Sequence, residues 1–148
     1  MERYTVQGSH EVFFIPSVDL NPEGGICELG GESYLEDTAN FYNPVFDWLN
    51  EYCKDSSNEL TFNFKLTYFN TSSSRSILDI LNILKDFEDN GGKLVVNWFY
   101  DKEDIDMEEE IEDYKADSGI EINFIPVLRT ELPFFEPKPS KKDDLLRE

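Results

Sequence analysis

The chain has 148 residues, 39% hydrophobic and 14% aromatic, enough apolar mass for one continuous core without disulfide or metal support. Its 32 acidic and 13 basic residues give a formal charge of −19 and a pI of about 4.2. That balance repels a phosphate backbone, so nucleic acid is excluded as a partner and cationic protein surfaces are favoured.

The N-terminal MERYTVQGSHEVFFIP has a short apolar run and no small-residue cleavage pattern, and no stretch approaches the roughly 18–20 apolar residues of a membrane span. The expectation is a cytoplasmic protein with no membrane partner, in which Cys27 and Cys53 are buried, reduced thiols. EVFFIPSVDL (11–20) and ICELGGESY (26–34) read as strands, and NPEGG between them as the reversal of a hairpin. Phe41, Val45, Trp48, Leu49 and Tyr52 then recur at helical spacing, with Pro44 expected in the first turn. LTFNFKLTYF alternates with period two, which places Phe62, Phe64, Leu66 and Tyr68 on one face of a strand.

From Ile77, the positions Ile80, Leu81, Leu84 and Phe87 continue a helix that Asn90-Gly91-Gly92 closes with a left-handed cap. KLVVNWFY (93–100) is a near-continuous apolar run, expected of a strand covered on both faces. A third helix over about 103–117 turns Met107, Ile111 and Tyr114 inward, and IEINFIPV (120–127) is a last strand. The order β-β-α-β-α-β-α-β describes an α/β domain over residues 1–128 with a mixed sheet of about five strands. Its last three strands are parallel through right-handed crossovers. Residues 129–148, rich in proline and charge, are expected to be a mobile tail, with a partner-binding arm or a strap along the domain as alternatives.

Little of this carries enzymatic chemistry. His10 is the single histidine, and nothing positions it as a base. Clustered Cys and His at zinc spacing are absent, as are glycine-rich phosphate loops. DKEDIDMEEEIED holds nine acidic residues, but an EF-hand loop needs glycine at its sixth position, and counting from Asp101 that position is Asp106. The run reads as a solvated helix face whose first acids complement the helix dipole. The expectation is no metal, no cofactor and no catalysis.

Attention falls on YFNTSSSRSI (68–77), where the central strand meets the helix. Asn70, Thr71, Ser72, Ser73 and Ser74 are all good N-caps, so capping alone accounts for residues of this kind. A helix start with unpaired N–H groups is also a natural anion site, where a phosphate on a hydroxyl is accommodated locally. Composition leaves the four hydroxyls nearly equal.

FYNPVFDWLNEY (41–52), FKLTYFNTSSSRSILDIL (64–81) and VNWFYDKEDIDMEEEIEDY (96–114) together resemble the SiaC family of bacterial regulatory phosphoproteins, from about residue 8 to residue 128. The resemblance implies a STAS-like fold and a phosphorylated threonine after the Asn of Asn-Thr-Ser-Ser, which is Thr71 here. Asn70, Ser72 and Ser73 would shape the turn, and Arg75 would be placed to pair with the phosphate. It further implies an anti-sigma-factor-type Ser/Thr kinase, a PP2C-like phosphatase and an output protein such as a diguanylate cyclase, bound by the unphosphorylated form. Leu35 stands where a proline is expected and Ile111 where a glycine is common, which bears on partner identity more than on the switch. The alternative is a small-ligand or nucleotide-binding domain using the same helix N-terminus.

Overall fold

The computed structural model describes residues 1–10 and 14–132. The strands are β1 (Tyr4–Val6), β2 (Ser9–His10), β3 (Phe14–Ile15), β4 (Ser17–Asn21), β5 (Ile26–Ser33), β6 (Glu59–Phe69), β7 (Lys93–Asp101) and β8 (Ile122–Val127). Three helices alternate with the later strands: α1 (Thr38–Tyr52), α2 (Thr71–Asp89) and α3 (Ile105–Ser118). One six-stranded sheet runs β1-β4-β5-β6-β7-β8, while β2 and β3 pair as a separate ribbon. β1 and β4 and β4 and β5 are antiparallel; β5 through β8 are parallel. This is the expected mixed α/β fold, with β1 as a sixth strand that the three-residue run Tyr-Thr-Val is too short to announce.

The hairpin forms around Pro22-Glu23-Gly24-Gly25, but its first strand begins only at Ser17. Gly25 has φ +67°, and a Cβ there would collide with the Glu59 carbonyl and the Tyr52 hydroxyl. Only glycine lets the turn close against β6, where Thr61 N donates to Gly25 O at 2.8 Å.

α1 differs from the sequence reading in phase. Asp37 caps it by accepting from Asn40 N at 3.0 Å, so the helix starts at Thr38 and Pro44 lies in its interior, not its first turn. The missing N–H costs little because Asn40, whose carbonyl it would have served, is exposed. The buried stripe is accordingly Tyr42, Val45, Trp48, Leu49 and Tyr52, with Phe41 half-buried at its margin. α2 ends at Asn90, followed by Gly91 at φ +99°. In α3, Asp104 caps Met107 N, and Met107, Ile111 and Tyr114 are buried as the spacing requires.

Strand order decides which faces are covered. The chain steps from β5 to β6, β7 and β8 in one direction, so right-handed crossovers place all three helices on the same side. The core lies there, with Leu60, Phe62, Phe64, Leu66, Val96 and Trp98 turned into it. The apolar run of β7 is therefore covered on one face only: Val95 is 45% exposed on the other. That open face carries an amide ladder in one sheet row, Asn97 Nδ2 donating to Asn63 Oδ1 and Asn123 Nδ2 to Asn97 Oδ1, both at 2.9 Å.

Residues 129–132 of the expected tail are a short turn, Arg129–Glu131, and a buried Leu132; residues 133–148 lie outside the described residues. No helix among the described residues is long and apolar enough to cross a membrane.

Cys27 is buried and Cys53 half-buried, both as free thiols. Burial pushes the Cys27 thiol up to about 12 and the Cys53 thiol up to about 11. At pH 8 the thiolate fractions are then on the order of 10⁻⁴ and 10⁻³. The folded protein is expected to react negligibly with a disulfide reagent at pH 8, while the denatured chain titrates both thiols. Reaction should rise with pH, at Cys53 before Cys27; prompt labelling of native Cys27 would contradict this packing.

Candidate functional site: the β6–α2 corner

The corner is shaped by one extra residue. β6 pairs in register with β5 up to Leu66 opposite Gly31; the next pair is Tyr68 opposite Glu32, and Thr67 is left over as a bulge. A bulge re-aims the side chains that follow it. Period two would have sent Tyr68 into the core. Instead Phe69 turns inward against Trp98 and Tyr114, and Tyr68 turns out, 45% exposed, beside Tyr34. The sequence expectation that Tyr68 joins the core face is corrected by this single inserted residue.

Asn70 then holds the chain on both sides of the break. Its Oδ1 accepts from Ser73 N at 3.0 Å as the cap of α2. Its Nδ2 donates to the Leu35 carbonyl at 3.3 Å and its own N–H to Ser33 O at 3.0 Å. The Leu35 contact uses only a backbone carbonyl, which proline also possesses, so this departure from the family pattern leaves the cap intact. Ile111, the second departure, is fully buried in the core face of α3.

The four hydroxyls divide into two classes. Ser73 is fully buried, and Ser33 Oγ donates to its Oγ at 2.7 Å. Ser33 has one proton and spends it there, so Tyr42 must donate to Ser33 across their 2.8 Å contact. Burial pushes the Tyr42 phenol well above its usual range, which keeps it a neutral donor. Ser74 is clamped from the other side: Tyr114 Oη donates to the Ser74 carbonyl at 3.1 Å, and the two hydroxyls lie 2.7 Å apart. Tyr114 is itself fixed by stacking on Trp98, which stacks on Phe64. Burial likewise raises the Tyr114 phenol.

Thr71 and Ser72 remain on the surface. Ser72 Oγ leans toward Asn70 Oδ1 at 3.4 Å, whereas the Thr71 hydroxyl has no hydrogen-bond partner among the described residues. Thr71 is the first residue of α2, where backbone N–H groups have no intrahelical acceptor. Arg75 lies one turn further on the same helix face and is exposed; its Nε pairs with Asp79 Oδ1 at 3.2 Å. An ion pair this exposed holds the guanidinium only weakly.

Sequence reasoning thus assembled Asn70, Thr71, Ser72, Ser73 and Arg75 at one corner but missed Ser33, Tyr42 and Tyr114. Ser33 had a signal: in β5 the inward positions are Cys27, Leu29, Gly31 and Ser33, so a serine ends an otherwise apolar face. Among the described residues no group of His, Cys, Asp or Glu side chains converges to hold a metal ion.

Ser33→Ala strands two buried hydroxyls, on Tyr42 and Ser73, and is expected to cost about 1–3 kcal/mol in urea unfolding. Ser73→Ala leaves the Tyr42–Ser33 bond in place and should cost about 1 kcal/mol. A Ser33→Ala protein as stable as the parent would refute the chain of donors described here.

The family model for the SiaC family regulatory phosphoprotein matches residues 9–127. An uncharacterized protein of Pseudomonas aeruginosa (strain UCBPP-PA14) is 28% identical over 102 residues, 69% of this chain and 81% of the relative. The crystal structure of apo-SiaC from Pseudomonas aeruginosa superposes with a TM-score of 0.76 at 24% identity, over 84% of this chain and 99% of that one. A chain in the crystal structure of the diguanylate cyclase SiaD in complex with its activator SiaC, from the same organism, gives 0.77 at 23% identity, with coverage of 84% and 99%. At these identities the structures speak for the fold, and the family match covers the corner and every element of the parallel sheet. The chain belongs to the SiaC family of regulatory phosphoproteins.

Proposed function

We propose that this protein is a non-enzymatic signalling switch, reversibly phosphorylated on Thr71, whose unphosphorylated form binds and regulates a partner of the diguanylate cyclase kind. The observation that carries the reading is the sorting of the hydroxyls: Ser73 and Ser74 are committed to internal bonds, and Thr71 alone is exposed and unbonded. A phosphate there adds about −1.5 to −2 charges beside the unpaired N–H groups of a helix start, where it is electrostatically favoured. Arg75, on the same face, can exchange its exposed contact with Asp79 for the phosphate.

The cyclase is suggested by SiaC of Pseudomonas aeruginosa, which is described as the activator of SiaD and crystallised with it. An anti-sigma-factor-type kinase and a PP2C-like phosphatase complete the cycle in this proposal. The partner surface would read Tyr68 and Tyr34, exposed aromatics flanking the corner, and a new dianion beside them would oppose docking of any surface with acidic groups. The ligand-binding alternative gains no specific support, since the groove next to the corner is lined by Asp104, Asp106 and Glu110, which repel anionic nucleotides.

Thr71→Ala changes an exposed, unbonded side chain and should shift stability by no more than about 0.5 kcal/mol. It is expected to abolish phosphate incorporation by the cognate kinase, read by intact mass and peptide mapping. Thr71→Glu should weaken cyclase binding by roughly tenfold or more, equivalent to about 1.4 kcal/mol. Labelling of the alanine variant at the parental level would move the acceptor elsewhere, Ser72 being the next exposed hydroxyl.

A further inference from the structure

α2 ends on the one Asn-Gly pair of the chain, Asn90-Gly91, and both residues are exposed. Glycine leaves its own nitrogen sterically open, so an asparagine before it is well placed to cyclise onto the following peptide bond. Three hydrogen bonds oppose that reaction in the closed turn. Asn90 Nδ2 donates to the Asp86 carbonyl at 2.9 Å, which draws the amide back along the helix. Gly91 N, the nucleophile, donates to Glu88 O at 3.0 Å, and Gly92 N donates to Phe87 O at 2.9 Å, with Asn90 held at ψ 10°. All three bonds belong to a helix terminus, where local opening costs least. Charge adds little to hold it closed. Asp86, Glu88 and Asp89 crowd the negative end of the dipole, and the last turn contains no basic residue. Lys85 reaches in from the preceding turn, 3.8 Å from Glu88 and 3.2 Å from Asp89.

We propose that Asn90 is a self-modification site, deamidating through a cyclic imide at a rate set by the opening of this turn. Once the turn opens, Gly91 N attacks Asn90 Cγ. The N–Cγ bond forms, the Cγ–Nδ2 bond breaks, and Nδ2 leaves as ammonia with the proton that Gly91 gives up. Water then adds to one of the two ring carbonyls and opens the imide, leaving aspartate or isoaspartate at position 90; nothing is oxidised or reduced. Either product lacks the Nδ2 donor to Asp86 O and adds a carboxylate to a helix end that already carries three. The modified turn is therefore looser than the parent. The other asparagines are shielded by their neighbours. Asn21 and Asn43 precede prolines, whose nitrogen has no proton to give up. Asn70 precedes the β-branched Thr71, and both ends of its amide are engaged, with Ser73 N and Leu35 O. The modification is independent of the reading of Thr71 given above.

The test is timed incubation of the full-length protein at mildly alkaline pH, followed by peptide mapping and by labelling with an isoaspartate methyltransferase. The peptide holding Asn90 should show the change from amide to acid, and isoaspartate, before any other peptide does. Gly91→Ala separates chemistry from unfolding, because it strains a residue at φ +99° and loosens the turn while shielding the nucleophile. It should slow the reaction several-fold, and an unchanged or faster rate would overturn the imide route. Lys85→Glu turns two ion pairs into repulsions without touching the reacting groups, and should speed the reaction several-fold, with the denatured chain faster still. Equal rates in the parent, the Lys85 variant and the denatured chain would overturn control by the turn. An intact Asn90 in the folded protein after the denatured chain has fully converted, or earlier reaction at another asparagine, would overturn the site. Asn90→Asp, which reproduces one product, should raise amide exchange at Gly91 and Gly92 several-fold, and unchanged exchange would overturn the loosening.

Discussion

The parallel pairing of β5 with β6 is the constraint from which the corner follows. β5 brings Ser33 to the end of the sheet at the same level as Phe69, so that Asn70 N meets the Ser33 carbonyl as the chain leaves the sheet. The extra residue at Thr67 then decides which of Tyr68 and Phe69 faces the core. Without the bulge the two would exchange roles: a phenol would be pressed among Trp98 and Tyr114, and a phenylalanine would stand in water. The cost of one irregular pair is offset by an apolar residue inside and a polar-tipped ring at the surface.

From that point the start of α2 is held from two independent directions. Tyr42 and Ser33 reach it from α1 and β5, and Tyr114 from α3. Each contact uses a neutral hydroxyl whose phenol partner is kept protonated by burial, so the clamp does not loosen anywhere near neutral pH. A helix start pinned this firmly presents its first residue in a fixed orientation.

Much of this was legible in the sequence because long periodic segments leave few alternatives. The stripe Ile77, Ile80, Leu81, Leu84, Phe87 and the alternation Leu60 to Leu66 both appear as read. The misreadings have local causes. A bulge has no signature in Lys-Leu-Thr-Tyr-Phe, so Tyr68 was assigned by a period that stops one residue earlier. In α1 the cap at Asp37 lies four residues ahead of the first strongly apolar position, and Pro44 drew the expected start toward itself. The coverage of β7 depended on strand order, which no single apolar run encodes. Capping chemistry pointed to the corner, but the sorting of its four hydroxyls required Ser33, Tyr42 and Tyr114, which lie 40 residues away in sequence or about 30.

The amide ladder on the open face acts on the folding reaction. Hydrophobic alternation rejects a one-residue slip between parallel strands, since every side chain would change face, but it is blind to a slip of two. Asn63, Asn97 and Asn123 share a single row, so a two-residue slip would set their amides against Thr61 or Lys65, Val95 or Phe99, and Glu121 or Ile125. No such arrangement rebuilds the pair of 2.9 Å bonds. The ladder therefore proofreads the one misalignment that the core would accept, giving three modest polar side chains a part in the fidelity of folding.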